Sequence, residues 1–135
     1  MPSGESATTI AAADFDGNGT IDLVVPHRDG GQSYIFPNDG TGHFKTKQPI
    51  GPARSATRAV AVGDLDGNGL PDLIMGDDQG GALIYLNQGQ GRFSAPIAAG
   101  DESDDVYSIA TADLNGDGSI DMVLGNQATP GVGLI

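Results

Sequence analysis

The chain has 135 residues, six Lys and Arg against 18 Asp and Glu, no cysteine and 22 glycines. That length suits one compact domain with a moderate core, and a formal charge of −12 argues against nucleic acid or anionic lipid as partners and for cations. Without cysteine there is no disulfide framework, and no apolar run approaches the ~18 residues a membrane span needs, so no membrane insertion is expected.

The N-terminal MPSGES has no basic region followed by an apolar run, so no signal peptide is expected in this sequence. The first motif is DFDGNGTIDL, from Asp14 to Leu23. It returns as DLDGNGLPDL from Asp64 and as DLNGDGSIDM from Asp113. Apolar stretches flank each copy: TIAAAD, RAVAVGD and SIATAD before it, then IDLVV, PDLIM and IDMVL within and after it. Two units also share a later segment, NDGTGHF (Asn38 to Phe44) and NQGQGRF (Asn87 to Phe93). Self-similarity near 50 residues points to a repeat architecture.

Each unit reads as four short strands bounded by Gly, Asn, Asp or Pro. In the second unit these are expected at about Thr57–Gly63, Asp72–Gly76, Ala82–Asn87 and Phe93–Ala98. The alanine-rich IAAAD resembles a helix former, but its counterparts VAVGD and IATAD are β-branched or broken by glycine, which disfavours helix. Four antiparallel strands per repeat define propeller blades. The expected fold is therefore all-β, a β-propeller segment with blades at about 6–50, 51–99 and a partial one at 100–135. The third unit reaches Ile135 inside its third strand. A closed propeller takes about 4–8 blades, so completion is expected from a homo-oligomer (trimer or dimer) or from the remainder of a longer propeller. Small residues at Ala11, Ala61 and Ala110 would let neighbouring sheets approach.

The repeated loop carries the chemistry. Counted from its first Asp, positions 1, 3, 5 and 9 are Asp14, Asp16, Asn18 and Asp22; Asp64, Asp66, Asn68 and Asp72; and Asp113, Asn115, Asp117 and Asp121. All are side-chain oxygen donors. Position 7 varies (Thr20, Leu70, Ser119), as expected where only a backbone carbonyl is used. Glycine holds positions 4 and 6 throughout, permitting turns with φ > 0. Alternating oxygens with a central glycine suit Ca²⁺, which takes about 6–8 oxygen ligands in a tolerant geometry. Zn²⁺ and Cu²⁺ would call for His or Cys, absent from these loops. Three carboxylates per loop also repel: at an effective dielectric near 20, a pair ~4 Å apart costs about 4 kcal/mol. The expected cofactor is Ca²⁺, about three per chain. Position 12 is Val25, Met75 or Leu124 rather than Glu, so this is no EF-hand, and affinity is expected near ~10⁻⁴–10⁻³ M.

DxDGNGxxDL after a short apolar strand, followed by an apolar strand and NxGxGxF, resembles the FG-GAP/VCBS repeat. That repeat builds the β-propeller of integrin α subunits and of many secreted microbial proteins. The resemblance covers nearly the whole chain. It implies Ca²⁺ between the first and second strands of each blade, and an extracellular or secreted setting. It also implies one of three roles: adhesion, lectin-like sugar binding, or polysaccharide lyase activity.

Antiparallel order puts the calcium loops on one blade edge and leaves the opposite edge for recognition. That second edge carries His27, Arg28 and Asp29, then Asp77, Asp78 and Gln79, with Arg54, Arg58 and Tyr107 between blades. His27, Arg28, Arg58, Asp77, Asp78 and Tyr107 are the candidate ligand contacts. No catalytic residue is assigned: His27 and His43 do not repeat, and no Ser/His/acid set is visible. The expected function is a non-catalytic calcium-binding module for binding, adhesion and self-assembly, with a sugar or protein ligand. The alternative is a fragment of a lyase.

Overall fold

A computed structural model describes residues 7, 9–78, 80–127 and 132–134. Gln79, a second-edge candidate, lies outside the described residues. No described residue is helical. The first sheet has four antiparallel strands in sequential order: β1 (Ala11–Ala13), β2 (Asp22–Val25), β3 (Gly31–Phe36) and β4 (Gln48–Ser55). The second repeats that order with β5 (Thr57–Gly63), β6 (Asp72–Asp77), β7 (Gly81–Tyr85) and β8 (Ile97–Ala99). The third pairs β9 (Val106–Ala112), β10 (Asp121–Asn126) and β11 (Val132–Leu134). These are propeller blades: two of four strands and part of a third.

Period-2 alternation divides the middle blade between two cores. Leu73, Met75 and Tyr85 point toward the first blade and join Phe15, Val24, Ile35 and Ile50. Ile74 and Ala82 point the other way and join Val106, Met122 and Leu124 of the third blade. The middle of β6, Leu73 to Met75, is therefore apolar on both faces, with Leu73 and Ile74 both fully buried. No sheet could bury both faces alone, so each blade is stabilised by its neighbours. The sheets approach closely where a side chain is missing: a Cβ on Gly76 would fall 2.5 Å from Val106 Cγ1. Thr111 Oγ1 also donates to the Val62 carbonyl across that boundary, at 3.0 Å. Ala11 packs on the first core and Ala61 on the second, whereas Ala110 is exposed on the outer side of the third sheet.

Two strand boundaries are corrected. The fourth strand of the middle blade starts at Ile97, not Phe93, and the third ends at Tyr85, short of Asn87. Asn87 and Phe93 instead form an isolated antiparallel bridge. Between them Gln88 N donates to Arg92 O at 2.8 Å, closing a tight turn. Gly89, Gln90 and Gly91 all take positive φ there, and three such residues in a row turn the chain instead of extending it. Pro96 then delays re-entry, since it has no N–H to give.

Candidate metal centre

The acidic loops join β1 to β2, β5 to β6 and β9 to β10. Glycines at positions 4 and 6 have φ between 75° and 91° in all three loops, which folds the chain back over its first Asp. The backbone N–H groups then point at that carboxylate. Asp14 Oδ1 accepts from Gly17 N (2.8 Å) and Asn18 N (3.2 Å), and Oδ2 from Gly19 N (2.8 Å). Asp113 repeats this with Gly116, Asp117 and Gly118 at 2.7, 3.2 and 2.9 Å. Position 3 turns back on position 5: Asp16 Oδ1 accepts from Asn18 N and Asp66 Oδ1 from Asn68 N, both at 3.1 Å.

Position 9 anchors the loop to the sheet. Asp22 and Asp72 are buried at the start of β2 and β6. Asp72 Oδ2 accepts from Leu65 N and Oδ1 from Asn87 N, both at 2.7 Å. Asp22 does the same with Phe15 N (3.0 Å) and Asn38 N (2.8 Å). One carboxylate thus ties the acidic loop to the NxGxGxF turn of its own blade. A buried charge needs such partners.

Position 7 has a packing role. Thr20 Cγ2 lies over Gly40 and Leu70 Cδ1 over Gly89, closing the same gap with different side chains. Thr20 also donates through Oγ1 to the Asn38 carbonyl at 2.8 Å.

Ligand atoms of Asp14, Asp16 and Asp22 lie within 4.8 Å of one another, and those of Asp64, Asp66 and Asp72 do the same. Asp64 Oδ1 is buried with no hydrogen-bond partner among the described residues. An orphaned carboxylate oxygen on a residue of an all-oxygen cluster fits a hard cation. In the third loop Asn115 replaces the position-3 carboxylate, and the acid moves to Asp117, which takes the Asn115 amide on Oδ2 at 3.0 Å. Asp117 titrates below the usual aspartate value, chiefly through the Ser119 backbone N–H, then through Asn115 and the Ser119 hydroxyl.

The opposite edge holds a cleft of about 580 Å³ between the first two blades. Arg28, Arg58, Asp77 and Asp78 line it, together with Arg54 from β4. Arg58 is held by Asp78 through Nε at 2.6 Å and by a second guanidinium contact, and its guanidinium stacks 5.3 Å from the Tyr107 ring of the third blade. Arg58 consequently holds its proton more tightly than a free arginine, first through the Asp78 hydrogen bond. Tyr107 supports the cleft without lining it, and His27 does not line it, its ring lying edge-on to Tyr34 at 6.1 Å. Two functional groups escape a motif reading focused on acids: Asn38 and Asn87. Their signal was the Asn that opens both NxGxGxF segments.

Stacked four-stranded sheets with acidic loops on one edge define a β-propeller segment. Within that class the chain belongs to the FG-GAP-like repeat family, whose model matches residues 14–75 and 64–124. Each match runs from position 1 of one loop to position 12 of the next. Among solved structures, the chain is similar to a β-propeller seen in the crystal structure of BBS1N in complex with ARL6DN, soaked with lead. The TM-score is 0.60 at 14% identity, over 89% of this chain and 37% of that one. The chain thus spans little more than a third of that relative, and the likeness is one of fold. No curated protein matches the sequence. No helix among the described residues is long and apolar enough to cross a membrane.

Proposed function

We propose that the chain is a calcium-binding propeller segment serving as a non-catalytic module for ligand binding, adhesion and self-assembly. The observation that carries the reading is the duplicated carboxylate cluster, Asp14/Asp16/Asp22 and Asp64/Asp66/Asp72, each with ligand atoms within 4.8 Å. Asn18, Asn68 and the position-7 carbonyls would complete each set, and Asp113, Asn115, Asp117, Ser119 and Asp121 would form a third. Bound Ca²⁺ would neutralise loops that otherwise repel themselves, and so fix the bend between inner strands. Lacking a bidentate Glu, such sites fall in the weak range of about 10⁻⁴–10⁻³ M, which suits an extracellular setting where calcium is abundant. The mixed Arg/Asp cleft on the other edge offers fork donors beside acceptors, a pattern suited to sugar hydroxyls or to polar side chains of a protein ligand.

Titration calorimetry with Ca²⁺ and with Mg²⁺ tests the metal reading. Saturable uptake of Ca²⁺, with Mg²⁺ much weaker, is expected. No heat and no competition by Ca²⁺ for a lanthanide probe would remove the basis for the function proposed.

A further inference from the structure

We propose that the two ends of the blade array are two halves of one interface, and that a second copy of this chain seats its first blade on the open face of the third. This rests on the self-assembly reading above and names its surface.

Inside the chain each blade meets the next in a repeated way. The position-2 residue of a loop plugs forward. Phe15 is 2% exposed, its ring 5.8 Å from Phe93 of the second blade. Leu65 likewise packs on the core shared with the third blade. The NxGxGxF turn reaches backward: Asn87 Nδ2 donates to the Phe15 carbonyl at 3.0 Å, and a Cβ on Gly91 would lie 3.5 Å from Asp16 Cβ. Position 8 reaches backward too, Ile120 Cγ2 lying 3.2 Å from where Gly63 would carry a Cβ.

Both ends of the array expose these same groups. Leu114, the third position-2 residue, is 53% exposed, and Ala110 and Ala112 beside it are exposed as well. At the other end Ile21, the first position-8 residue, is 54% exposed, and Phe44, the counterpart of Phe93, is 45% exposed. Asn38 Nδ2 reaches the Ile21 carbonyl at 3.0 Å, as Asn87 reaches that of Pro71 at 3.1 Å. No second carbonyl meets it among the described residues. Continuing the internal pattern sets Leu114 against the partner copy's Phe44. It sets the Leu114 carbonyl against the Asn38 amide, and Ala112 under Ile21. One chain therefore carries both complementary surfaces, combining the turn contacts of its first blade boundary with the position-8 contact of its second. Such a contact is heterologous, head to tail, and closes into a ring where the rotation between copies closes. The charge of −12 per copy opposes association, so the contact strengthens as salt screens it.

Sedimentation velocity across a concentration series, in calcium and moderate salt, tests this with Leu114→Arg, Phe44→Arg and Ile21→Arg. All three side chains are solvent-facing in the single chain, and unchanged circular dichroism and melting confirm that each variant folds. Should Phe44→Arg disturb its turn, Ile21→Arg stands in for that face. The wild type is expected to assemble and each variant to stay monomeric. A mixture of Leu114→Arg with Phe44→Arg or Ile21→Arg should give a two-chain species and nothing larger, because each pairing uses the one intact end of each chain. Variants that assemble like wild type, or a mixture that stays monomeric while wild type assembles, would overturn this interface alone. A wild type that is monomeric throughout would overturn the self-assembly reading, and this proposal with it.

Discussion

Asn87 joins the second blade to Phe15 of the first through a single side-chain amide, 3.0 Å from the Phe15 carbonyl and 72 residues away in sequence. The same side chain holds the Pro71 carbonyl at 3.1 Å and accepts from Gly89 N at 2.8 Å. Its backbone N–H goes to Asp72. A fully buried residue thus connects the metal-type loop of its own blade, its own turn, and the loop of the blade before.

Asn87→Ala would leave the Phe15 and Pro71 carbonyls and the Gly89 N–H without their partner. Orphaned buried polar groups cost about 1–3 kcal/mol each, partly offset by relaxation, so a loss of about 2–4 kcal/mol is expected by urea unfolding. Asn38→Ala is the internal control: Asn38 is less buried and reaches no neighbouring blade. It should cost about 1 kcal/mol. Equal losses would show that the inter-blade bond adds nothing.

Asp72→Asn tests the buried anchor. The carboxylate accepts two backbone N–H groups at 2.7 Å, and an amide can accept only one while turning its NH₂ on the other. A destabilisation of about 2–3 kcal/mol is expected even in chelator, with the calcium response of that loop lost as well. Wild-type stability in EDTA would contradict the anchoring role.

Tyr85 predicts the opposite sign. Its side chain is 3% exposed in the first core, and its hydroxyl has no hydrogen-bond partner among the described residues. Burial holds the phenol above its usual pKa. Tyr85→Phe removes an unsatisfied group and keeps the ring, so melting should be unchanged or higher. A loss beyond about 1 kcal/mol would mean that the hydroxyl is satisfied in solution.

Acid stability follows from Asp39 and Asp101. Asp39 titrates below its ordinary 3.8 mainly through the Thr41 hydroxyl, and Asp101 through the Ser103 backbone N–H. A depressed folded pKa means that the unfolded chain binds more protons, so stability rises with pH across this window. Their contribution is complete above the ordinary value and is lost as pH falls from there through the lowered one. Thermal melting of an Asp39→Asn/Asp101→Asn double variant should be shifted down at neutral pH and should converge on wild type in acid. Parallel curves would refute the assignment.

Much of this was legible in the sequence, for a physical reason. Oxygen donors at alternate positions and glycines at positions 4 and 6 are local requirements, and a local requirement repeated three times is hard to mistake. The strand Thr57–Gly63 was equally clear, its alternation and closing glycine being contained in seven residues. The Phe93 boundary was not, because positive φ at Gln90 belongs to the turn and leaves no mark in an apolar pattern. The cleft was half visible. Arg28 and Asp78 fall on the expected edge, but the meeting of Arg54 with Arg58 depends on how β4 and β5 stack. The support of Arg58 by Tyr107 depends on a third blade. The Asn87–Phe15 bond is non-local in the same way: spacing shows that both residues recur, not that one blade's amide finds the previous blade's carbonyl.

In the function proposed, divalent ions occupy the Asp-rich loops and pin the bends between the inner strands of each blade. Differential scanning calorimetry of the wild-type chain across a calcium series, beside a matched EDTA sample, tests it most directly. Binding to the folded state alone adds about RT ln(1 + [Ca²⁺]/Kd) per site. The transition should therefore climb steadily with calcium, and the Asp14→Asn/Asp64→Asn double variant should lose most of the climb. A wild-type transition at one temperature in EDTA and in saturating calcium would show that no ion braces these loops.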